Sequence, residues 1–180
     1  MVSTLILGVF AIVNMNDASA RGKFVLKSKT IKEGMFLTNE QVYNGLECAG
    51  KNISPDLEWL NPPRGAKSYT LIMHDPDAPV QGGWWHWIVV NIPSVKTNIQ
   101  RDELLVHPIV QTYTSFETPG YGGPCPPQGH GRHRYIFTIY ALDTPALPIY
   151  REDLPPWQVE EMIKPHVLDK ASITTYYERK

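Results

Sequence analysis

The sequence predicts a mainly-β, sandwich-like fold with a small helical element near the C-terminus. Three observations carry this expectation. Apolar runs of strand length occupy residues 68–73, 85–92 and 134–142. There are 16 prolines in 180 residues, and proline shortens helices while favouring loops and edge strands. The clearest helical pattern, residues 157–164, sits behind Pro155 and Pro156, where proline suits a first helical turn.

Taken in order, residues 24–27 are a short strand candidate and Glu33-Gly34 marks a turn. Ser54-Pro55 argues against a helix in residues 52–60. Residues 68–73 and 85–92 are strands, and residues 97–106 have room for a short helical turn. Residues 109–114 are a further strand candidate, followed by a Gly/Pro-rich loop over 118–131. Residues 134–142 are apolar on both faces, as a central strand between layers would be. After Pro165, residues 166–172 are expected to add a helical turn and residues 173–177 a last strand.

Hydrophobic residues make up 42% of the chain, ample for one packed domain, which we place at residues 21–180. The formal net charge is −1 with no basic stripe, which argues against nucleic-acid binding. Residues 5–13 are apolar and lead to Ala18-Ser19-Ala20, the pattern of a cleaved secretory signal over residues 1–20. No Lys or Arg precedes that apolar core, so the basic n-region is absent; a buried N-terminal strand is the alternative. No later segment reaches the roughly 20 apolar residues of a membrane span. The expected location is therefore secreted or periplasmic. In such a compartment Cys48 and Cys125 are a disulfide candidate, the alternative being two buried thiols.

The polar residues with chemical potential lie in two stretches. Asp75 and Asp77 are two apart beside Pro76 and Pro79, so in an extended segment both carboxylates would face one pocket. Ala78-Pro79 is a candidate cis bond. His86 alternates with Ile88, Val90 and Ile92 and is expected on their side; a core histidine bonded to backbone is the commoner case, with Asp75 or Asp77 a candidate partner. His133 and Tyr135 project to one face at the entry to a strand, and Arg134 to the other. The glycines of the preceding loop, Gly122 and Gly123, have backbone N–H groups that suit an anion. His74, His107, His130 and His166 lack such a context and read as structural or surface residues. Trp84, Trp85 and Trp87 read as packing, one of them a possible cover for an amphiphile.

Together these stretches closely resemble the phosphatidylethanolamine-binding proteins, also called Raf kinase inhibitor proteins, in their bacterial and archaeal branch. The resemblance rests on DPDAP at 75–79, His86-Trp87, GYGGPCPP at 120–127 running into His133-Arg134-Tyr135, and CxGxNxSPxLxW at 48–59. It covers roughly residues 24–179. It implies a Greek-key β-sandwich of two antiparallel sheets with an anion pocket at one end. It implies pocket roles for Asp75, Asp77, Pro79, His86, Pro126, Pro127, His133 and Tyr135. His130 and Arg132 depart from many relatives and add positive charge near the pocket. Pro165 and Thr175 replace common glycines.

The expected function is that of an exported, non-enzymatic binding protein for phosphate-type head groups, whether phospholipid or a phosphorylated ligand. Some relatives inhibit kinases or proteases, which makes such a protein a candidate partner. No cofactor is expected. The alternative is a metal-dependent hydrolase using the Asp/His cluster, although no tight ligand spacing such as His-x-x-x-His occurs. A serine hydrolase lacks its G-x-S-x-G elbow.

Overall fold

The computed structural model describes residues 22–180; the expected signal segment at residues 1–20 lies outside the described residues. Ten strands follow in chain order: β1 Val25–Lys27, β2 Asn44–Gly45, β3 Cys48–Ala49, β4 Leu57–Leu60, β5 Ser68–Asp75, β6 Trp84–Pro93, β7 Asn98–Ile99, β8 Val110–Gln111, β9 His133–Leu142 and β10 Val167–Tyr177. One helix, α1 (Pro156–Ile163), precedes β10 and continues into a 3-10 turn at Lys164–His166.

A five-stranded antiparallel sheet has the order β10-β9-β5-β6-β8. The return of β9 to lie beside β5 gives the 4-1-2-3 arrangement of a Greek key. A smaller antiparallel sheet, β1-β4-β7, faces it, and β2 and β3 form a separate hairpin. The fold is mainly β with antiparallel sheets and one short helix, as the sequence predicts.

Side-chain alternation explains the layers. Tyr69, Leu71 and Met73 of β5 and Tyr135, Phe137 and Ile139 of β9 pack toward Leu26, Leu57 and Trp59 of the small sheet. Ile72 of β5 and Ile88 and Val90 of β6 face the other way, under Val159 and Ile163 of α1. The large sheet is thus covered on both faces, which is why its strands read as continuous apolar runs.

Three expectations about elements change. Residues 166–172 are not helical, because β10 begins at Val167 and pairs along the whole of β9, from Val167 opposite Leu142 to Tyr177 opposite His133. Long-range pairing overrides the local pattern there. The expected turn at 97–106 includes β7, which pairs with Leu57 and Glu58. The cis peptide among the described residues is His107-Pro108, not Ala78-Pro79.

Candidate functional site

Antiparallel pairing brings three strand ends to one edge of the large sheet. β5 finishes at Asp75, opposite Trp84 at the start of β6, while β9 begins at His133 on the other side of β5. A cavity of about 270 Å³ opens there, lined by Asp75, His86, His133 and Tyr135 below. Pro79, Trp84, Phe116, Cys125 and Pro126 also line it, and the exposed Leu46, Val80 and Pro127 stand at its mouth.

The mouth is held from outside by a disulfide between Cys48 and Cys125. This ties the hairpin β2–β3 to the loop before β9. That loop also approaches the chain at 41–43 closely: a Cβ at Gly123 would stand 1.9 Å from the Gln41 carbonyl oxygen, so only glycine fits. Asn52 clamps the same loop, accepting from the Gly123 N–H at 2.7 Å and donating to the Tyr121 carbonyl at 3.0 Å. Asn52 has no local pattern that marks it as a clamp, and its only signal in the sequence is its place within the 48–59 motif.

The glycine amides expected to be free are not. Gly122 N–H donates to the His86 carbonyl at 2.8 Å and Gly123 N–H to Asn52. Their hydrogen bonds build the loop rather than an anion nest.

Asp75 is 2% exposed and accepts from His133 Nδ1–H at 2.7 Å, His133 being 1% exposed. A carboxylate only accepts, so this bond fixes the proton on Nδ1. The other Asp75 oxygen accepts from the Asp77 N–H at 2.9 Å. This side-chain-to-backbone bond turns the chain after β5, and Asp77 leaves the extended geometry that would have aimed it at the cavity. Asp77 instead takes a two-pronged contact from Arg134, at 2.9 and 2.7 Å, and does not line the pocket. The Arg134 guanidinium holds its carboxyl down at about 2. The expected shared orientation of the two aspartates therefore fails, while the opposite orientation of Arg134 holds.

His86 also departs from alternation. Met73 pairs with Trp87 and His74 with Trp85, so His86 is the extra residue of a β-bulge. A bulge re-aims side chains, and the His86 ring lies edge-on to Tyr135, 5.2 Å between centroids, rather than beside Ile88. A second irregularity at Asn91, with φ of 59°, moves Ile92 to the inter-sheet face. His86 Nδ1 donates to the Gly122 carbonyl at 2.7 Å, so its partner is backbone and not an aspartate.

Burial lowers the His86 pKa to about 4. The ring is neutral at pH 7, with Nδ1–H on the carbonyl and Nε2 a bare acceptor. The unfolded chain protonates first, near 6.5, so the contribution to stability is full above that value and is lost as pH falls from 6.5 to about 4. At about 1.4 kcal/mol per unit the loss is on the order of 3 kcal/mol. Urea unfolding across that range should show this slope and His86→Gln should flatten it; equal slopes would refute the assignment.

Two buried donors in the cavity walls lack partners. The Tyr135 hydroxyl lies near enough to Asp75 to feel its charge but not in hydrogen-bonding geometry, and burial first, then that carboxylate, raises its pKa. The indole N–H of Trp84 is likewise unpaired. His130, read as a surface residue, bonds His133: Nδ1 to Nε2 is 2.7 Å. His74 bonds the Gly82 carbonyl and His166 bonds Asp143. Among the described residues no three His, Cys, Asp or Glu side chains converge as metal ligands would.

The family described as phosphatidylethanolamine-binding protein matches residues 27–178. This chain belongs to that family. Family membership supports a binding protein of this class. The UPF0098 protein YbcL of Escherichia coli is 36% identical, with all of both chains covered. A UPF0098 protein of Aquifex aeolicus is 39% identical over 93% of this chain and 96% of its own. The crystal structure of Escherichia coli YbcL, described as a member of the mammalian PEBP family, superposes with a TM-score of 0.85 at 38% identity, covering 88% of this chain and all of that one. A putative phosphatidylethanolamine-binding protein homologue from Chlamydia trachomatis gives 0.75 at 34% identity, over 87% and 98% of the two chains. Among the described residues of this family member, no helix is long and apolar enough to cross a membrane.

Proposed function

We propose that this family member is an exported, non-enzymatic binding protein whose cavity takes a phosphate-type head group. The observation that carries the reading is the unpaired, buried Tyr135 hydroxyl beside His86 and the Asp75–His133 pair, in one cavity. A buried unsatisfied hydroxyl costs about 1–3 kcal/mol, and a ligand oxygen would satisfy it. The neutral His86 accepts through Nε2, which suits the O–H of an acidic phosphate or the ammonium of phosphoethanolamine. An oxyanion held beside that ring favours its protonation.

The rim favours a lipid as the source of the head group. Leu46 and Val80, 63% and 47% exposed, stand at the cavity's edge where an acyl chain would leave it. Leu46→Asp is expected to weaken binding of short-chain phosphatidylethanolamine roughly tenfold, about the cost of exposing one apolar side chain. Binding of free phosphoethanolamine should hardly change. Equal effects on both ligands would remove the lipid from the proposal.

Export is supported by residues 5–13 and 18–20 together with the Cys48–Cys125 disulfide, which persists in oxidising compartments. Cell fractionation with thiol labelling tests it; a cytoplasmic, reduced protein would contradict it. The binding reading itself is tested by NMR titration with inorganic phosphate and phosphoethanolamine. The His86 and His133 ring signals should shift, and unchanged spectra at millimolar ligand would sink the proposal.

A further inference from the structure

Both ring nitrogens of His133 are occupied: Nδ1 by Asp75 and Nε2 by Nδ1 of His130, each at 2.7 Å. A single proton lies between the two imidazoles in the second bond. While that bond stands, His133 has no N–H to offer a ligand in the cavity it lines. The ring that blocks it sits on an exposed loop tip, held there at its backbone by the His130 N–H on the Pro127 carbonyl at 3.2 Å. His130 is exposed and sits between Gly129 and Gly131, both with left-handed φ, +72° and +89°, and with nothing within 4 Å of where a Cβ would lie. The base of the loop is tied down as well, with Gly129 N–H on the Arg179 carbonyl and the Gln128 amide on that of Lys180.

We propose that His130 is a displaceable latch on His133, an inference that rests on the head-group reading above. In the resting protein His130 occupies Nε2 of His133. An acidic phosphate takes its place: its O–H meets the vacated Nε2 and passes its proton to the ring, so the resulting oxyanion accepts from His133 Nε2–H while the Asp75 carboxylate keeps the ring oriented through Nδ1. The unpaired Tyr135 hydroxyl supplies a neighbouring donor to the same ligand. The buried Asp75–His133 pair thus stays fixed, and the exchange occurs on its solvent side, where the exposed His130 ring, flanked by two glycines without side chains, is free to rotate away. Affinity is set by competition between the ligand and the protein's own imidazole.

The test uses the whole protein with histidines labelled with nitrogen-15. Without anions, a hydrogen-bond scalar coupling between His130 Nδ1 and His133 Nε2 is expected, and saturating inorganic phosphate should abolish it. Short-chain phosphatidylethanolamine in a parallel arm shows whether a lipid head group displaces His130 as free phosphate does; loss with phosphate supports the latch, and loss with the lipid as well extends it to that source. By calorimetry, His130→Ala should bind phosphate roughly three- to tenfold more tightly, the equivalent of one hydrogen bond no longer broken. Phosphate that binds with the coupling intact, or binds His130→Ala equally or more weakly, overturns the latch while leaving the pocket reading in place. A free protein without the coupling also overturns the latch alone. If phosphate and lipid bind neither protein, the pocket reading fails and the latch with it.

Discussion

Asp75→Ala is expected to destabilise the protein by about 3–5 kcal/mol, the range for removing one partner of a buried charged pair. The carboxylate serves two donors at once, His133 Nδ1–H and the Asp77 N–H. Alanine leaves both without a partner at a site 2% exposed to water. It also frees the turn that delivers Asp77 to Arg134, so the exposed ion pair should loosen. Asp75→Asn separates shape from charge. Its amide oxygen can serve one donor, but its NH2 then faces the other, and His133 must change tautomer or lose its bond. Asn should therefore fall between wild type and Ala in stability, and both variants should lose phosphate binding. Urea unfolding and phosphate calorimetry check this; an Asp75→Ala protein within about 1 kcal/mol of wild type would mean that the pair does not organise the site.

Replacing both Cys48 and Cys125 with serine is expected to cost about 4 kcal/mol. The bond closes a sequence separation of 77 residues, and the chain-entropy treatment assigns a loop of that length about 4–5 kcal/mol. A local effect accompanies the global one. Leu46 and Glu47 form the tip of the β2–β3 hairpin with φ of 49° and 66°, left-handed values that neither residue favours. The disulfide holds this tip against the cavity mouth. Once released, the hairpin can relax and carry Leu46 away, so lipid binding should suffer more than phosphate binding. Equilibrium unfolding of oxidised, reduced and Cys48→Ser/Cys125→Ser protein measures the first effect. A difference below about 1 kcal/mol would contradict it, given the usual 2–5 kcal/mol for native disulfides.

The parts of this fold legible in the sequence are those where burial dictates residue type on both faces. β5, β6 and β9 run between two apolar layers, so Tyr69, Leu71 and Met73 point one way and Ile72 the other, and the whole run is apolar. The first half of β10 carries no such signal, because Val167, Leu168, Asp169 and Lys170 are exposed and only their pairing with β9 makes them a strand. At the start of β9, simple alternation points His133 and Tyr135 into the pocket and Arg134 away from it. His86 and Asp77 do not follow it. A bulge turns the first, and a side-chain hydrogen bond two residues back turns the second. Neither event has a local pattern that composition reveals. His130 is illegible in the sequence for a related reason: its role lies in one contact with His133 made from a glycine-flanked loop.

The central claim is that the cavity between β5, β6 and β9 takes a phosphate-type head group. The most direct measurement is a crystal structure of protein purified without anions and then soaked with phosphoethanolamine. Its phosphate is expected in the cavity within hydrogen-bonding distance of His86 Nε2 and the Tyr135 hydroxyl, with the Asp75–His133 bond intact. A phosphate bound elsewhere on the protein, with the cavity left as it was before the soak, would contradict the claim.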